Sequence, residues 1–524
     1  MEHLIKKHTL KLSELCFYLF FVSLLFAKGI GLYDGQTGFK IFLIIALFGW
    51  AGKMLLTRYY IWEIPLYAAL IVLGGAVYLT AREKGALIVI LLFCGLKNME
   101  LKKVFQVGLA TWVLSFGILF LLTSLHIVDS AFKVHDRLGM GRIIRWSLGY
   151  AHPNVLHISY LVLVCFLVYV LKERIRFSHL LLLELGNLYV FMYSLSTTGF
   201  LVTTICLVLV CYWKIRKRFC RVEQVLIQLC LPVCLFLSFG APLLLKGRAF
   251  DIVNKLLNTR LSLSKWFLQN QSVKLFGVDT ASIVTAVRTM DNSYVFALIT
   301  YGAVFFLFVI CVYFRGIYLR TKEQDGIALC VILSCLIAGL TEPFLFNTSF
   351  KNLSLLLVSS ELFHMEKAAG RQITLLNMDR NIEIPLPDIS CICSGVRLNP
   401  GRYRMGIAAV AAVGALIAGT VVFQNAALPE RYFLPRKAFE YTDDLVESYY
   451  FTSSDDIQGE GDRILGYESE QTEMVAFSGN IARVERFRNT VAAGAVSGLL
   501  ILGVGNLAVS LKRRNTERIQ KNEQ

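Results

Sequence analysis

Residues 145–171, RWSLGYAHPNVLHISYLVLVCFLVYVL, join a polar start to a long apolar run. A helix of about 17–25 apolar residues is long enough to cross the ~30 Å hydrocarbon core of a bilayer. Pro153 falls in the first turn of this helix, where its missing N–H costs no hydrogen bond. The stretch therefore predicts a membrane-spanning helix with a cation, an imidazole and an amide at its mouth, supplied by Arg145, His152 and Asn154.

Similar apolar blocks recur along the whole chain. Of its 524 residues, 56% are hydrophobic and 17% are charged, and the mean hydropathy is +0.59. Soluble domains carry about 45–50% apolar residues and keep them in shorter runs. The pattern predicts an all-α polytopic membrane protein. Its predicted spans lie near 12–32, 39–55, 61–80, 86–96, 104–125, 149–171, 178–195, 199–213, 222–245, 293–314, 326–340, 352–365, 405–425 and 489–511.

The basic residues predict the orientation of these spans. The net charge of +16 comes largely from Lys and Arg clusters in short loops, for example at 97–103 and 214–221, rather than from one soluble basic face. Short cytoplasmic loops carry such clusters by the positive-inside rule, which argues against a nucleic-acid partner. Both termini are then predicted to be cytoplasmic. Three long loops, 126–147, 246–292 and 426–488, are predicted to lie outside.

A composition shift after residue 365 predicts a division of the chain. Residues 1–365 form a membrane core, and the polar stretch 366–403 is a cytoplasmic linker. Residues 404–512 form a two-helix membrane unit around the outer segment 426–488, and a basic cytoplasmic tail covers 513–524. Small residues at helical spacing in both helices of this unit predict close helix packing.

Two outer loops are rich in cations. Loop 246–292 carries Lys246, Arg248, Lys255, Arg260, Lys265, Lys274 and Arg288, and loop 126–147 carries Lys133, Arg137, Arg142 and Arg145. Such an excess indicates an anionic ligand, because the planar guanidinium group suits phosphate oxygens. The alternative is that these are solvated charges of long loops, which the positive-inside rule does not govern. Glu184, inside an apolar span, is predicted to be functional or paired with a cation.

Four segments, in this order along the chain, resemble one family. RWSLGYAHPN (145–154) is similar to the Arg…Gly-Phe/Tyr-x-His-Pro-Asn segment of the O-antigen and capsular polysaccharide polymerases, the Wzy group of the O-antigen ligase/polymerase superfamily. LNTRLSLSKWFLQNQSVKLFG (257–277), DNSYVFALITYG (291–302) and TEPFLFN (341–347) resemble its later segments. The resemblance covers about residues 10–365.

The chain also departs from this family. In SLSTTGF (194–200) the family often has an arginine where Thr197 stands, which puts one phosphate contact in doubt. The ligases of the superfamily rely on a histidine in their large outer loop, and loop 246–292 has none, which favours a polymerase over a ligase. Residues 404–512 have no counterpart in the family core.

The resemblance implies a glycosyltransferase of the GT-C-like class with about twelve core helices, located in the bacterial plasma (inner) membrane. On the outer leaflet it would transfer a growing glycan from polyprenyl (undecaprenyl) diphosphate to the non-reducing end of a new lipid-linked repeat unit, as in capsule, exopolysaccharide or O-antigen synthesis. Flippase and chain-length regulator proteins would be its partners. No cofactor and no metal ion are expected. The alternatives are a flippase or transporter of lipid-linked oligosaccharide, an O-antigen-ligase-type transferase, or a non-catalytic assembly protein.

The same resemblance assigns residues to the chemistry. The candidates for binding the diphosphate are Arg145, Arg248 and Arg260. His152 is the first candidate for general base, and the carboxylate alternatives are Asp291 and Glu342. Substrate contacts are expected from Asn154, Asn292, Tyr294 and Thr198.

Overall fold

The structure is a computed structural model that describes residues 5–124, 127–128, 132–137, 141–257, 259–281, 283–284, 289–360, 372–376, 378–387, 402–425, 431–435, 450–453, 462–464, 473–477, 486–487, 489–505 and 508. The chain forms two compact units. The core unit comprises Lys11–Ala131 and Trp146–Asn381, and the smaller unit comprises Met1–Leu10, Phe132–Arg145 and Ile382–Gln524. The predicted tail 513–524, and most of linker 366–403 and outer segment 426–488, lie outside the described residues.

Helices make up most of the core unit. In chain order they are α1 (Leu12–Gly29), α2 (Thr37–Leu56), α3 (Glu63–Ala81), α4 (Gly85–Gly95), α5 (Leu101–Ser124), α6 (Pro153–Leu171), α7 (Phe177–Ser194), α8 (Thr197–Arg216), α9 (Arg221–Leu235), α10 (Ala241–Leu244), α11 (Gly247–Leu256), α12 (Arg260–Asn270), α13 (Ser293–Thr300), α14 (Gly302–Lys322), α15 (Gly326–Ala338) and α16 (Ser354–Ser359). A short 3-10 helix follows α6 at Lys172–Arg174.

Among the described residues, nine helices are long and apolar enough to cross a bilayer. Eight of them lie in the core unit, and the ninth, Gly406–Asn425, lies in the smaller unit. The outward surfaces of these helices are apolar. Phe48 on α2 is 74% exposed and Leu79 on α3 is 73% exposed, which is unfavourable in water but favourable in lipid. The chain is therefore a mostly helical, multi-pass membrane protein, as the composition predicts.

Two predicted spans are interrupted. The span predicted at 222–245 contains a π-helical turn, Phe236–Gly240, between α9 and α10. Pro232 lies inside α9 and lacks the N–H that a regular helix requires there, and a π turn is a common way for a helix to absorb such a defect. The span predicted at 293–314 breaks between α13 and α14 at Tyr301.

Two glycines explain the second break. Gly277 and Gly302 have φ angles of +83° and +84°, a region that residues with a Cβ rarely adopt. A Cβ on Gly302 would lie 2.5 Å from Leu275 O and also against Gly277 N. Backbone hydrogen bonds from Ala303 N to Lys274 O (2.9 Å) and from Val304 N to Leu275 O (3.1 Å) fix the loop against the start of α14.

Strands were not predicted from the sequence, and they occur outside the spanning helices. Three two-stranded sheets pair β1 (Ile5–Lys11) with β6 (Asn381–Pro387), β2 (Arg58–Tyr60) with β5 (Gln372–Thr374), and β3 (Phe132–Arg137) with β4 (Gly141–Trp146). A four-stranded sheet in the smaller unit has the order β8 (Tyr450–Ser453), β10 (Glu473–Phe477), β7 (Arg431–Pro435), β9 (Asp462–Ile464). Strand β10 is antiparallel to both of its neighbours, and β7 is parallel to β9.

The smaller unit also contains a close helix pair. Helices Arg402–Asn425 and Asn489–Gly505 approach each other where small residues face, since a Cβ on Gly494 would lie 2.9 Å from Ala415 O. Ser497 Oγ donates across this contact to Gly414 O at 3.2 Å.

We expect Gly302→Ala to lower the unfolding free energy by about 2 kcal/mol or more, because the methyl group meets backbone atoms that cannot move aside. Thermal unfolding in detergent measures this effect. Gly75→Ala is the matched control, since its added Cβ would have no atom within 4 Å and we expect no loss of stability. Equal stability of the two variants would contradict the proposed role of the glycine contact.

Candidate functional site

The start of α6 is joined to the loop after α15. Asn154 Nδ2 donates to Glu342 Oε1 at 2.9 Å, a contact between residues 188 positions apart. His152 caps α6, because its Nδ1 accepts from Asn154 N at 3.1 Å. Glu342 is only 7% exposed, while His152 and Asn154 are partly exposed. A buried carboxylate and an amide thus lie side by side at the mouth of α6.

The start of α13 holds the other side of this loop. Asn292 caps α13 by accepting from Tyr294 N and Val295 N, and its Nδ2 donates to Leu340 O at 3.2 Å. Ser293 Oγ donates to Glu342 O at 2.6 Å. Both side chains therefore fix the backbone that carries Glu342.

Arg260 and Asp291 form an ion pair in front of α13. Arg260 Nη2 lies 2.7 Å from Asp291 Oδ2, and the two side chains are 17% and 19% exposed. Thr289 Oγ1 donates to the same carboxylate oxygen at 2.9 Å. Packing of Phe267 on α12 against Val295 and Ile299 on α13 holds the pair in place. Asp291 is thus engaged by a cation and a hydroxyl.

The remaining predicted site residues have different surroundings. Tyr294 is fully buried and donates to Leu336 O at 2.8 Å, so its contacts favour a role in positioning α13 over contact with a substrate. Arg248 is exposed on the amphipathic helix α11, and Thr198 is partly exposed in the first turn of α8. Arg145 lies in β4, within the smaller unit, and is buried. The predicted convergence of the three arginines on a diphosphate remains a prediction.

Lys28 and Lys351 belong to the buried lysines of the core unit, and neither was predicted as a site residue. Lys28, in the last turn of α1, is 6% exposed, and Lys351, between α15 and α16, is 4% exposed. Lys351 Nζ donates to Ser159 Oγ on α6 at 2.8 Å and lies 4.9 Å from the centre of the Tyr150 ring. A lysine at the end of an apolar block is the sequence signal that could have identified both of them.

Other charged side chains near α1 and α3 have close partners. Lys84 Nζ lies 2.9 Å from both carboxylate oxygens of Asp34. Glu83 accepts from Tyr301 OH at 2.7 Å and from Gly85 N at 2.5 Å. Burial raises the pKa of Glu83, and these two hydrogen bonds oppose the rise. The charged side chains of the α1–α2 and α3–α4 loops are therefore satisfied by close partners.

A separate polar network links α6, α7 and α8. Buried His157 bonds Ser194 Oγ through Nδ1 and Asn187 Oδ1 through Nε2, both at 2.8 Å. Glu184 accepts from Thr204 Oγ1 at 2.8 Å and from Asn187 Nδ2 at 3.3 Å. The sequence analysis offered a cation as one possible partner of Glu184, and the structure gives it neutral partners instead.

A cavity of about 10 Å³ lined by Phe21, Val89, Leu345 and Phe350 is large enough for one water molecule only. In the part of the chain that the structure describes, no three His, Cys, Asp or Glu side chains are grouped so that they could hold a metal ion.

Comparison with known proteins gave no relative. No family model, no curated protein and no solved structure matches the chain.

The Arg260–Asp291 pair generates a stability prediction. In a double-mutant cycle with Arg260→Ala, Asp291→Ala and the double variant, we expect a coupling energy of about 0.5–3 kcal/mol. The reason is that the two charged groups are in contact and are mostly buried. Chemical or thermal unfolding in detergent measures the coupling energy. The exposed pair Lys103–Glu100, with its atoms 3.0 Å apart, is the control, and its coupling should stay near about 0.3–0.5 kcal/mol. Equal coupling energies in the two cycles would contradict the conclusion that the partly buried Arg260–Asp291 ion pair stabilises the fold more than an exposed pair does.

Proposed function

We propose that the protein polymerises lipid-linked oligosaccharide repeat units on the outer leaflet of a bacterial plasma membrane. In this proposal it is a GT-C-like glycosyltransferase with about twelve core helices, both termini in the cytoplasm and a C-terminal two-helix unit. The growing glycan passes from polyprenyl diphosphate to the non-reducing end of a new lipid-linked unit. The reaction needs no metal ion.

One observation carries the proposal. The hydrogen bond between Asn154 and Glu342 joins two of the four segments on which the resemblance to polysaccharide polymerases rests. Ser293 joins segment 291–302 to Glu342. The Arg260–Asp291 pair joins segment 257–277 to segment 291–302. Four segments spread over about 200 residues thus meet through polar contacts at one place, which supports a shared site.

Glu342 is the best-placed general base of the three candidates. During transfer, the acceptor hydroxyl oxygen bonds to C1 of the donor sugar, and the C1–O bond to the diphosphate breaks with its electron pair leaving on the diphosphate. The hydroxyl proton passes to the base. Asp291 is occupied by Arg260 and Thr289, and the His152 Nδ1 is occupied by the cap of α6. Glu342 accepts from the Asn154 amide, a neutral donor, and its burial keeps water away.

The expected contributions are large enough to matter. A well-placed general base is worth about 10²–10⁴-fold in rate. One fixed donor at the leaving diphosphate is worth about 2.7–4 kcal/mol, by analogy with oxyanion-hole donors. Arg145, Arg248 and Arg260 remain the sequence-based candidates for that donor.

A flippase of lipid-linked oligosaccharide is the second candidate. It is favoured by Lys28 and Lys351, because buried cations in a membrane protein often line a substrate path. A ligase-type transfer is the third, and the absence of histidine from loop 246–292 argues against it.

The test is reconstitution of the purified protein in liposomes with a lipid-linked repeat unit in the outer leaflet. We expect a ladder of longer glycans from the wild type. Glu342→Gln should slow the ladder about 10²–10⁴-fold, since the amide cannot take up the proton. Glu323→Gln is the matched control, because Glu323 is 51% exposed and pairs with Arg320 in a different part of the core unit.

Two outcomes would contradict the proposal. Movement of intact single units across the bilayer with no ladder would favour the flippase. A full rate in Glu342→Gln would remove Glu342 from the chemistry and leave His152 as the base to be tested.

A further inference from the structure

Lys28 and Lys351, here called the lysine pair, are buried cations that form no ion pair with any residue that the structure describes. Both are more than nine-tenths buried. Within the described residues, neither ammonium group lies within 4.0 Å of a carboxylate. Lys28 Nζ lies 3.8 Å from the centre of the Phe39 ring. Lys351 Nζ donates to Ser159 Oγ and makes a longer contact of 3.5 Å with Val155 O.

Tyr150 contacts both Lys351 and the backbone next to Lys28. Tyr150 OH donates to Gly29 O, the residue next to Lys28, at 2.8 Å, and Lys351 Nζ lies 4.9 Å from the Tyr150 ring centre. Lys351 lies in the non-helical segment between α15 and α16. Its pKa is lowered to about 7, chiefly by burial and also by the positive charge of Lys28, while the carboxylate of Glu342 opposes the shift. The lysine pair and Glu342 are therefore electrostatic neighbours.

Such an arrangement is costly unless an anion completes it. Removing an ammonium group from water is unfavourable, and contact with an aromatic ring recovers only part of that cost. The nearby carboxylates have closer partners: Asp34 pairs with Lys84, Glu83 bonds Tyr301 and Gly85, and Glu342 bonds Asn154. Among the described residues, the carboxylates near the two cations are therefore engaged by other donors.

We propose that the lysine pair binds the diphosphate of the lipid-linked donor, next to Glu342, so that the cations face the leaving group in the transfer. The inference rests on the proposed function for the identity of this ligand. Its position fits the chemistry, since the leaving diphosphate must lie close to the base that takes the acceptor proton. Low polarity around both lysines strengthens their attraction for a developing charge. By contrast, Arg248 is exposed and Arg260 is already paired with Asp291.

The test measures binding without turnover. Full-length protein in nanodiscs of neutral lipid is titrated with farnesyl diphosphate, a short polyprenyl diphosphate, and separately with inorganic pyrophosphate. We expect Lys28→Met and Lys351→Met each to weaken farnesyl diphosphate binding about tenfold or more, the size of one lost charge-assisted hydrogen bond. If a methionine variant fails to fold, Lys28→Gln or Lys351→Gln takes its place, and we expect the same loss of farnesyl diphosphate binding.

Lys53→Met is the matched control. Lys53 is also buried, at 1% exposed, and contacts Met99 Sδ at 3.5 Å. It lies in the last turn of α2, at the opposite end of that helix from Phe39, which contacts Lys28. Binding should not change in this variant. Removal of Lys351 should also leave the ligand-free protein at least as stable as the wild type, because an apolar side chain replaces a buried charge.

The outcomes separate the two proposals. Unchanged farnesyl diphosphate binding in both lysine variants overturns the inference, as does equal loss in Lys53→Met. Equal affinity for inorganic pyrophosphate overturns the assignment to a lipid-linked ligand. Lysine-dependent binding in a protein that makes no glycan ladder supports the site and contradicts polymerisation. A normal ladder from Lys351→Met contradicts the site and supports polymerisation.

Discussion

A buried chain segment that is not helical must find partners for every polar backbone group, and residues 339–353 are such a segment. In a membrane protein, irregular backbone of this kind persists only where the protein itself supplies the hydrogen bonds. Ser293 Oγ bonds both Glu342 O and Leu345 N, and Asn352 Nδ2 bonds Leu345 O at 2.9 Å. The segment is therefore held in one conformation by side chains from within it and from α13. The positions of Glu342 and Lys351 depend on that conformation.

The charged side chains of the core unit differ in the partners that the surrounding protein gives them. Asp291, Asp34 and Glu83 have close donors, which offset part of the cost of burying them. Among the described residues, the contacts of Lys28 and Lys351 are aromatic rings, a hydroxyl and a carbonyl oxygen, and groups of this kind destabilise a fold that has no other use for them. Strain and unpaired charge concentrate at functional sites because selection maintains them there. This contrast distinguishes the proposed site from the paired charges around it.

Hydropathy predicted much of the fold. Predicted spans such as 149–171 and 199–213 correspond to α6 and α8, because a run of apolar side chains has few stable alternatives to a spanning helix. The π turn after Pro232, the break at Tyr301 and the irregular 339–353 segment were missed, since each depends on contacts with residues distant in sequence. The strands were missed because short polar segments carry little periodicity.

The candidate site was partly predictable. Motif order indicated that Asn154, Asp291 and Glu342 belong together, and the structure joins Asn154 to Glu342 directly. Sequence could not indicate that Arg260 is engaged by Asp291, because pairing depends on the packing of α12 against α13. Lys28 and Lys351 were given no role from the sequence, although a lysine at the end of an apolar block is itself a signal.

The central claim is that the diphosphate of a lipid-linked glycan lies between the lysine pair and next to Glu342. An experimental structure of the protein in a nanodisc with a polyprenyl-diphosphate oligosaccharide bound tests it most directly. The account predicts phosphate density within hydrogen-bond distance of Lys28 and Lys351, with the first sugar beside Glu342. Diphosphate density held elsewhere, with the lysine pair still closed and buried, would contradict it.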